Sequence, residues 1–324
     1  MHIYPLKFID NFRPTLWGGS RLKTYKGLTH DSEVIGESWE VSALPQGESV
    51  VANGALKGRK LTALIAEYGE ALLGDAVMRN FDGHFPVLIK FLDAARDLSI
   101  QVHPNNTMAK VRHDCLGKTE MWYVLAAEPG AQLIAGLKEN ITPEEYEEHV
   151  RNNTICDVLK YHEVHPGDVY SLPAGRIHAL GAGVMVAEVQ QSSNITYRIY
   201  DYNRPDLNGR PRELHTDLAK QAIDYTVYEH YRTRYQVVKN EAVPLVTCPY
   251  FVTSLLDMDK VVSRQVSAYG SFKIYMCLNG ACQITDSNGN VVDLSQGHTV
   301  LVPGCIESVQ IMPVPVCKLM EVYC

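Results

Sequence analysis

Two histidines, a glutamate and a glutamine stand where β-strands could bring them to one metal ion. Gln101 and His103 are two residues apart in the run LSIQVHP, so on a strand their side chains would leave the same face. Glu120 opens the apolar run EMWYVLAA, and His178 follows the turn that ends the run DVYSLP. Two imidazoles, a carboxylate and an amide oxygen suit zinc, iron, manganese or cobalt better than a site that needs thiolates. The sequence therefore predicts a site for one metal ion.

The turn before His178 has a recognisable pattern of glycine and proline. It reads G-x5-P-x-G-x2-H from Gly167 to His178, and a tight turn of this kind could deliver the histidine to the mouth of a barrel. This pattern, with paired ligands before it, resembles the metal signature of cupin barrels. A second G-x5-P runs from Gly297 to Pro303 but has no histidine after it. We therefore expect a second, degenerate cupin-like module without metal ligands.

The elements that must position these residues are mostly short strands. Apolar runs separated by Gly, Pro, Asn and Asp are typical of a β-sandwich or barrel. Helical periodicity is limited to Lys60–Val77, the segment that a capping box opens at Thr142, and Leu214–Tyr225. We predict a mainly β fold, a jelly-roll-like cupin barrel with a few peripheral helices. A metal-binding catalytic domain would span residues 1–235 and a cupin-like β domain residues 236–324, with a linker near Arg232–Pro244.

Composition excludes several classes of protein. With 324 residues, of which 46% are hydrophobic, the chain can bury a large core, yet no apolar run approaches the roughly 18 residues that a membrane span needs. The net charge of −7 argues against a nucleic-acid-binding face. The N-terminal segment lacks the features of a secretion signal, and the eight cysteines show no CxxC spacing. We expect a cytoplasmic protein with reduced thiols, either a monomer or a homodimer.

Several motifs in the same order resemble the type I phosphomannose isomerases in their short bacterial form. The motifs are LSIQVHPN at 98–105, GKTEMWY at 117–123 and PAGRIHAL at 173–180, with support from LWGG at 16–19, GESWE at 36–40, PVLIK at 86–90, EVQQ at 188–191 and TYRIYD at 196–201. The resemblance implies interconversion of mannose 6-phosphate and fructose 6-phosphate. It also implies one Zn²⁺ per chain, held by the four ligands Gln101, His103, Glu120 and His178.

The same resemblance assigns roles to other residues around the metal. Arg198 would stabilise the negative charge of an enediolate, because its guanidinium is permanently charged and forked. Lys118 and Lys90 would form the basic side of the pocket, and the hydroxyl of Ser99 would face the phosphate. Glu188 would bind a hydroxyl or move a proton. Trp17 would form part of the pocket wall.

Two positions depart from the family pattern. Asn194 stands four residues before the arginine, where the family commonly has an aspartate, and its amide cannot act as a carboxylate base. The base therefore stays open among His103, Glu188, Lys118 and a metal-bound water. Thr119 stands between the lysine and the glutamate where the family often has a proline.

Two other functions remain compatible with these residues. Two histidines and one carboxylate also form the facial set of non-haem iron enzymes, so a cupin oxygenase is one alternative. A sugar-binding cupin without catalysis is the other, because one fold can host many functions. Gln101 as a fourth ligand, with Arg198 and two lysines near the pocket, favours the phosphosugar isomerase.

Overall fold

The computed structural model describes residues 3–29, 34–205 and 209–324. The strands in these ranges are β1 (Leu6–Lys7), β2 (Phe12–Arg13), β3 (Glu37–Val41), β4 (Val87–Asp93), β5 (Ile100–Val102), β6 (Glu120–Ala127), β7 (Gln132–Leu137), β8 (Leu159–Glu163), β9 (Val169–Leu172), β10 (His178–Leu180), β11 (Val184–Gln191), β12 (Tyr197–Tyr200), β13 (Arg232–Thr233), β14 (Ala242–Thr247), β15 (Val252–Met258), β16 (Val262–Gln265), β17 (Lys273–Asp286), β18 (Val291–Ser295), β19 (Thr299–Val302) and β20 (Ser308–Tyr323). The α-helices are α1 (Arg21–Tyr25), α2 (Leu61–Tyr68), α3 (Glu70–Leu73), α4 (Asp75–Asn80), α5 (Asn106–His113), α6 (Pro143–Arg151) and α7 (Thr216–Ala222). The predicted mainly β fold is confirmed.

Two antiparallel sheets form a sandwich in the first two thirds of the chain. One sheet has seven strands in the order β13-β9-β6-β11-β4-β3-β2, and the other has five in the order β12-β5-β10-β7-β8. Their facing sides share one apolar core, in which Trp122 and Val186 of the first sheet meet Leu133 and Leu180 of the second. Burial of such side chains stabilises each by about 1.5–3 kcal/mol, so this core holds the two sheets in a fixed relation. The arrangement is jelly-roll-like, as the cupin prediction requires.

A third sheet of eight strands contains the C-terminal part of the chain. Its main path is β1-β19-β17-β20-β15-β14, with β16 on β20 and β18 on β17. The N-terminal β1 pairs with β19 through Leu6 and Leu301, so the two ends of the chain meet in this sheet. The division at residue 235 stays a prediction. Gly167 and Gly297 both adopt a positive φ two residues before a strand begins, so the repeated G-x5-P starts with the same local structure twice.

The helices follow the sequence patterns only in part. The Thr142 hydroxyl accepts a hydrogen bond from the Glu145 backbone N–H, and the Glu145 carboxylate accepts one from the Thr142 backbone N–H, which is the predicted capping box. The periodic segment 60–77 was expected to be one helix but forms α2, α3 and α4, because the chain breaks at Gly69 and Gly74, with φ of +46° and +88°. A Cβ on Gly74 would lie 2.3 Å from the Gly270 carbonyl oxygen, so a contact with the C-terminal module decides this break.

The third helix is also shorter than the pattern 214–225 predicts. The His215 backbone N–H donates to the Arg198 carbonyl at 2.7 Å, which holds the residue before α7 against β12. At the other end the Asp224 N–H donates to the Gly175 carbonyl, so the chain turns away after Ala222.

No helix in the described ranges is long and apolar enough to span a membrane.

Candidate metal centre and substrate cavity

The four predicted ligands meet between the two sheets of the sandwich. Gln101 on β5 is the direct cross-strand partner of His178 on β10, and His103 follows β5 immediately. Glu120 is the first residue of β6 on the opposite sheet. Its two carboxylate oxygens lie 3.1 Å from His178 Nε2 and 3.5 Å from His103 Nε2. Gln101 and His178 are 77 residues apart in the sequence, but their Nε2 atoms lie 3.3 Å apart.

The turn that carries His178 crosses from one sheet to the other. Gly175 has a φ of +91°, a conformation that glycine adopts without a Cβ penalty. Its N–H donates to the His103 carbonyl at 2.9 Å, so the turn is fixed directly to the segment that supplies another predicted ligand. The positive φ accounts for the glycine in this turn, and the bond holds the turn against the His103 segment.

The donor set fits a cation. His178 Nδ1 lies 2.8 Å from the Arg176 carbonyl oxygen and must donate to it, so in the neutral ring Nε2 carries a lone pair. That lone pair faces a Glu120 oxygen, and both Glu120 oxygens are buried without a well-directed hydrogen bond. Rotation of the Gln101 amide by 180° would turn its oxygen to the same point. Converging lone pairs in a buried space are the arrangement that a metal ion stabilises.

Electrostatics keeps this cluster in the protonation state that a metal needs. Burial and the neighbouring Lys118 ammonium lower the pKa of His103 from 6.5 to about 3, so the ring is neutral at pH 7. Burial alone would raise the pKa of Glu120, but Lys118, His178 and His103 outweigh it and hold that pKa well below its usual value. Lys118 Nζ lies 2.9 Å from Glu120 Oε2 and 3.1 Å from His103 Nε2. Neutral histidine and ionised glutamate are the metal-binding forms.

A polar cavity of about 140 Å³ adjoins the cluster. It is lined by Trp17, Glu37, Lys90, Leu92, Leu98, Ser99, Gln101, Lys118, Trp122, Glu188, Asn194, Thr196, Arg198 and Arg212. Every residue that the sequence analysis placed at the substrate or in catalysis is in this lining, while three of the predicted ligands, His103, Glu120 and His178, are buried beside it. In the described ranges, His103, Glu120 and His178 are the one group of three or more His, Cys, Asp or Glu side chains that could hold a metal ion.

Lys90 is held on one wall of the cavity by two carboxylates. Its Nζ lies 3.1 Å from Glu188 and 3.5 Å from Glu37. Trp122 donates to Glu188 at 2.8 Å, and Trp39 donates to Glu37 at 2.5 Å. Burial would lower the pKa of Lys90, but the two carboxylates outweigh it and raise that pKa, so the charge of Lys90 is compensated twice.

Another part of the cavity lining has an excess of positive charge. Arg198 donates to Ser99 Oγ at 3.3 Å and to the Glu213 carbonyl at 2.8 Å. Arg212 binds the Asp201 carboxylate through two bonds of 2.7 and 2.6 Å, and Arg204 binds the same carboxylate at 2.7 Å. Burial and the charges of Arg212 and Arg204 lower the pKa of Arg198, although Asp201 opposes them. Two guanidinium groups therefore bind one carboxylate, and Arg198 adds a third positive charge near them.

Sequence reasoning missed two of the charged cavity residues. Glu37 lies two positions before Trp39 in the motif GESWE, so the alternation of a strand could have placed both side chains on one face. Arg212 follows a polar, arginine-rich segment from residue 204, which has no strand or helix pattern. Nothing local indicates that Arg212 lies at the cavity.

Comparison with known proteins agrees with this geometry. Residues 6–129 match the model of the catalytic domain of phosphomannose isomerase type I. The chain is 35% identical to mannose-6-phosphate isomerase of Streptococcus mutans over 94% of both chains. It is 37% identical to a mannose-6-phosphate isomerase of Bacillus subtilis over 76% of this chain and 77% of the relative.

Solved structures give the same result over the whole chain. The crystal structure of mannose 6-phosphate isomerase from Bacillus subtilis is 30% identical, with a TM-score of 0.88, and the match covers 99% of this chain and 100% of that one. A variant of phosphomannose isomerase from Salmonella typhimurium matches with a TM-score of 0.80 over 99% of each chain, and at 17% identity it shows the fold alone. On the sequence identity along nearly its full length, the chain belongs to the family of type I phosphomannose isomerases.

Proposed function

We propose that this protein interconverts mannose 6-phosphate and fructose 6-phosphate through an enediolate, with a bound metal ion. The observation that carries the proposal is the buried cluster of His103, Glu120 and His178 beside a polar cavity that Arg198 and Arg212 line. A sugar phosphate needs both features, because its reacting carbons can use a metal ion and its phosphate can use a guanidinium group. The family membership of the chain supports the same reaction.

The phosphate is best placed beside Arg212 and Ser99. Lys90 is already paired with two carboxylates, and Lys118 is paired with Glu120, so neither offers an uncompensated charge. Arg198 and Arg212 line the cavity where cationic side chains outnumber anionic ones, and Ser99 adds a hydroxyl. A forked guanidinium can donate two parallel hydrogen bonds to phosphate oxygens, which strengthens this assignment. Lys90 would then bind sugar hydroxyls together with Glu188.

The reaction itself takes place at the metal end. A metal held by Gln101, His103, Glu120 and His178 would supply Lewis-acid stabilisation of the sugar oxygens when bound. The Lys118 ammonium, at the edge of the cluster, would donate to the oxygen that gains negative charge as the proton leaves the neighbouring carbon. Arg198 would stabilise the same enediolate from a position next to Gln101 in the sheet register.

Glu188 is the side chain that we assign to proton transfer between the two carbons. It lines the cavity, and Trp122 and Lys90 orient its carboxylate. His103 is a poor base, since its pKa of about 3 leaves it little affinity for a proton. Asn194 also lines the cavity, but its amide has no basic atom. Trp17 closes one wall and excludes water.

We assign Zn²⁺, one ion per chain, because two imidazole nitrogens and two oxygens are a suitable tetrahedral set. Elemental analysis of the purified protein should give a ratio of one zinc per chain. A cytoplasmic location and a monomeric or homodimeric state are our corresponding expectations, to be checked by fractionation and by light scattering.

A coupled assay tests the reaction. Metal-loaded protein receives mannose 6-phosphate, and fructose 6-phosphate is measured. Wild type should turn over, while chelated protein and His103→Ala should fall to background. His230→Ala, an exposed histidine outside the site, is the matched control and should keep full activity. Loaded protein with no more turnover than the chelated sample would refute the proposal.

The same samples separate the alternatives. A non-haem iron oxygenase would retain iron in preference to zinc and would consume dioxygen. A non-catalytic sugar-binding cupin would bind mannose 6-phosphate in calorimetry without producing fructose 6-phosphate.

A further inference from the structure

The segment that carries Lys118 and Glu120 is not held by a regular strand at its start. Gly117 packs directly on the backbone of residues 104–106, where a Cβ would lie 2.5 Å from the Asn106 nitrogen. The Lys118 N–H donates to the Pro104 carbonyl at 3.1 Å. β6 begins only at Glu120. Two groups of the site therefore depend on what fixes residues 117–119.

Gln191 supplies the missing contacts from the end of β11. Gln191 is 2% exposed. Its side-chain Oε1 accepts from the Thr119 backbone N–H at 2.9 Å, and its backbone N–H donates to the Thr119 carbonyl at 3.0 Å. Its Nε2 donates to Asn106 Oδ1 at 2.9 Å, and the same Oδ1 accepts from the Gly117 N–H at 2.9 Å. The hydrogen bonds from Thr119 to Gln191, from Gln191 to Asn106 and from Gly117 to Asn106 thus form a ring that the backbone of residues 117–119 closes.

This ring depends on the residue type at position 119. A proline, common there in the family, has no N–H and could not donate to Gln191. Thr119 also accepts from the Ala174 N–H through its hydroxyl at 3.1 Å. Because Ala174 belongs to the turn before His178, the ring joins the segment of Glu120 to the segment of another predicted ligand.

We propose that Gln191 is a positioning residue, which acts through Thr119 and Asn106 to hold Glu120 and Lys118 in the geometry that binds metal. This proposal rests on the metal-dependent function proposed above. Polar groups behind metal ligands typically change metal affinity by about 10–100-fold when they are removed, since the ligand is then no longer pre-oriented. The described hydrogen bonds of the Gln191 side chain go to Thr119 and Asn106 and not to a predicted ligand. Gln191 is also not part of the cavity lining.

Cobalt binding to the full chain tests the proposal without relying on activity. Metal-free wild type, Gln191→Met, Asn106→Ala and the double variant are titrated with Co²⁺ alone, and the visible absorption of the bound ion is recorded. Gln191→Met keeps the side-chain length but removes the amide. Asn53→Ala is the matched control, because Asn53 also bonds two backbone groups, Lys7 N–H at 2.9 Å and Pro5 carbonyl at 3.0 Å, away from the site.

We expect Gln191→Met to bind Co²⁺ about 10–100-fold more weakly than wild type, with a changed absorption spectrum. Asn106→Ala should weaken binding in the same direction, and the double variant should be no worse than the weaker single variant, because the two residues act in series. Asn53→Ala should stay within about twofold of wild type while losing comparable thermal stability.

Wild-type affinity and spectrum in Gln191→Met would overturn the proposal. If that variant does not fold, Asn106→Ala, at a half-buried position, decides by the same criterion. Failure of wild type to bind Co²⁺ would refute the metal-dependent function and this inference with it. Normal wild-type binding with unaffected variants would refute the positioning role alone.

Discussion

Replacing Arg198 with lysine should separate substrate activation from metal binding. The guanidinium has five N–H groups, of which one bonds Ser99 and one bonds the Glu213 carbonyl, so three remain for substrate. A lysine keeps the charge but loses the planar fork and these anchors. Loss of one hydrogen bond to a charged group costs about 1.5–3 kcal/mol. At about 1.4 kcal/mol per tenfold, kcat/KM should fall by about 10- to 150-fold.

The assay compares three proteins in parallel. Fructose 6-phosphate formation is measured with saturating metal for wild type, Arg198→Lys and Arg232→Lys, and metal content is measured on the same samples. Arg232 is the matched control, since it makes similar bonds to the Tyr170 hydroxyl at 3.2 Å and the Glu163 carbonyl at 2.8 Å outside the cavity. Arg198→Lys should retain one metal per chain, because none of its described hydrogen bonds reaches the cluster. Activity within about threefold of wild type, or loss of metal, would show that the assigned role is wrong.

Three further changes probe the cluster and the C-terminal sheet. His178→Ala should weaken metal affinity by more than about 100-fold, because loss of a residue that merely supports a ligand already lowers metal affinity by about 10–100-fold. Unchanged metal content after dialysis would contradict the ligand assignment. Metal-free protein should lose about 1.4 kcal/mol of stability per pH unit between about pH 6 and 4, because unfolded His103 takes up a proton that the folded residue, with its pKa of about 3, does not. Urea unfolding measured across this pH range should show that the loss of unfolding free energy per pH unit is about 1.4 kcal/mol smaller in His103→Gln than in wild type. Equal losses in the two proteins would contradict the prediction. Glu321→Gln should cost about 3–5 kcal/mol in the same measurement, because it leaves buried Lys273 beside Arg264 without their shared carboxylate; a loss below about 1 kcal/mol would contradict this.

Some features of the fold could be predicted because their causes are local. The strands Glu120–Ala127 and Val184–Gln191 begin and end where their apolar runs do, and the capping box at Thr142 is a contact between near neighbours in sequence. Periodicity alone failed for segment 60–77. Its breaks depend on close packing of Gly74 against Gly270, almost two hundred residues away, which no local pattern contains.

The sequence by itself determined which side chains could bind a metal, because imidazole and carboxylate chemistry and the glycine turn before His178 are properties of residue type and spacing. Only the tertiary structure decided how the charged residues around them are paired. Lys90 was expected on the basic side of the pocket, and the structure adds that Glu37 and Glu188 lie on both sides of it. Arg212 carried no local signal, and only the fold places it at the cavity. Charge compensation depends on distances of a few ångströms between residues remote in sequence, and those distances are set by how the sheets pack.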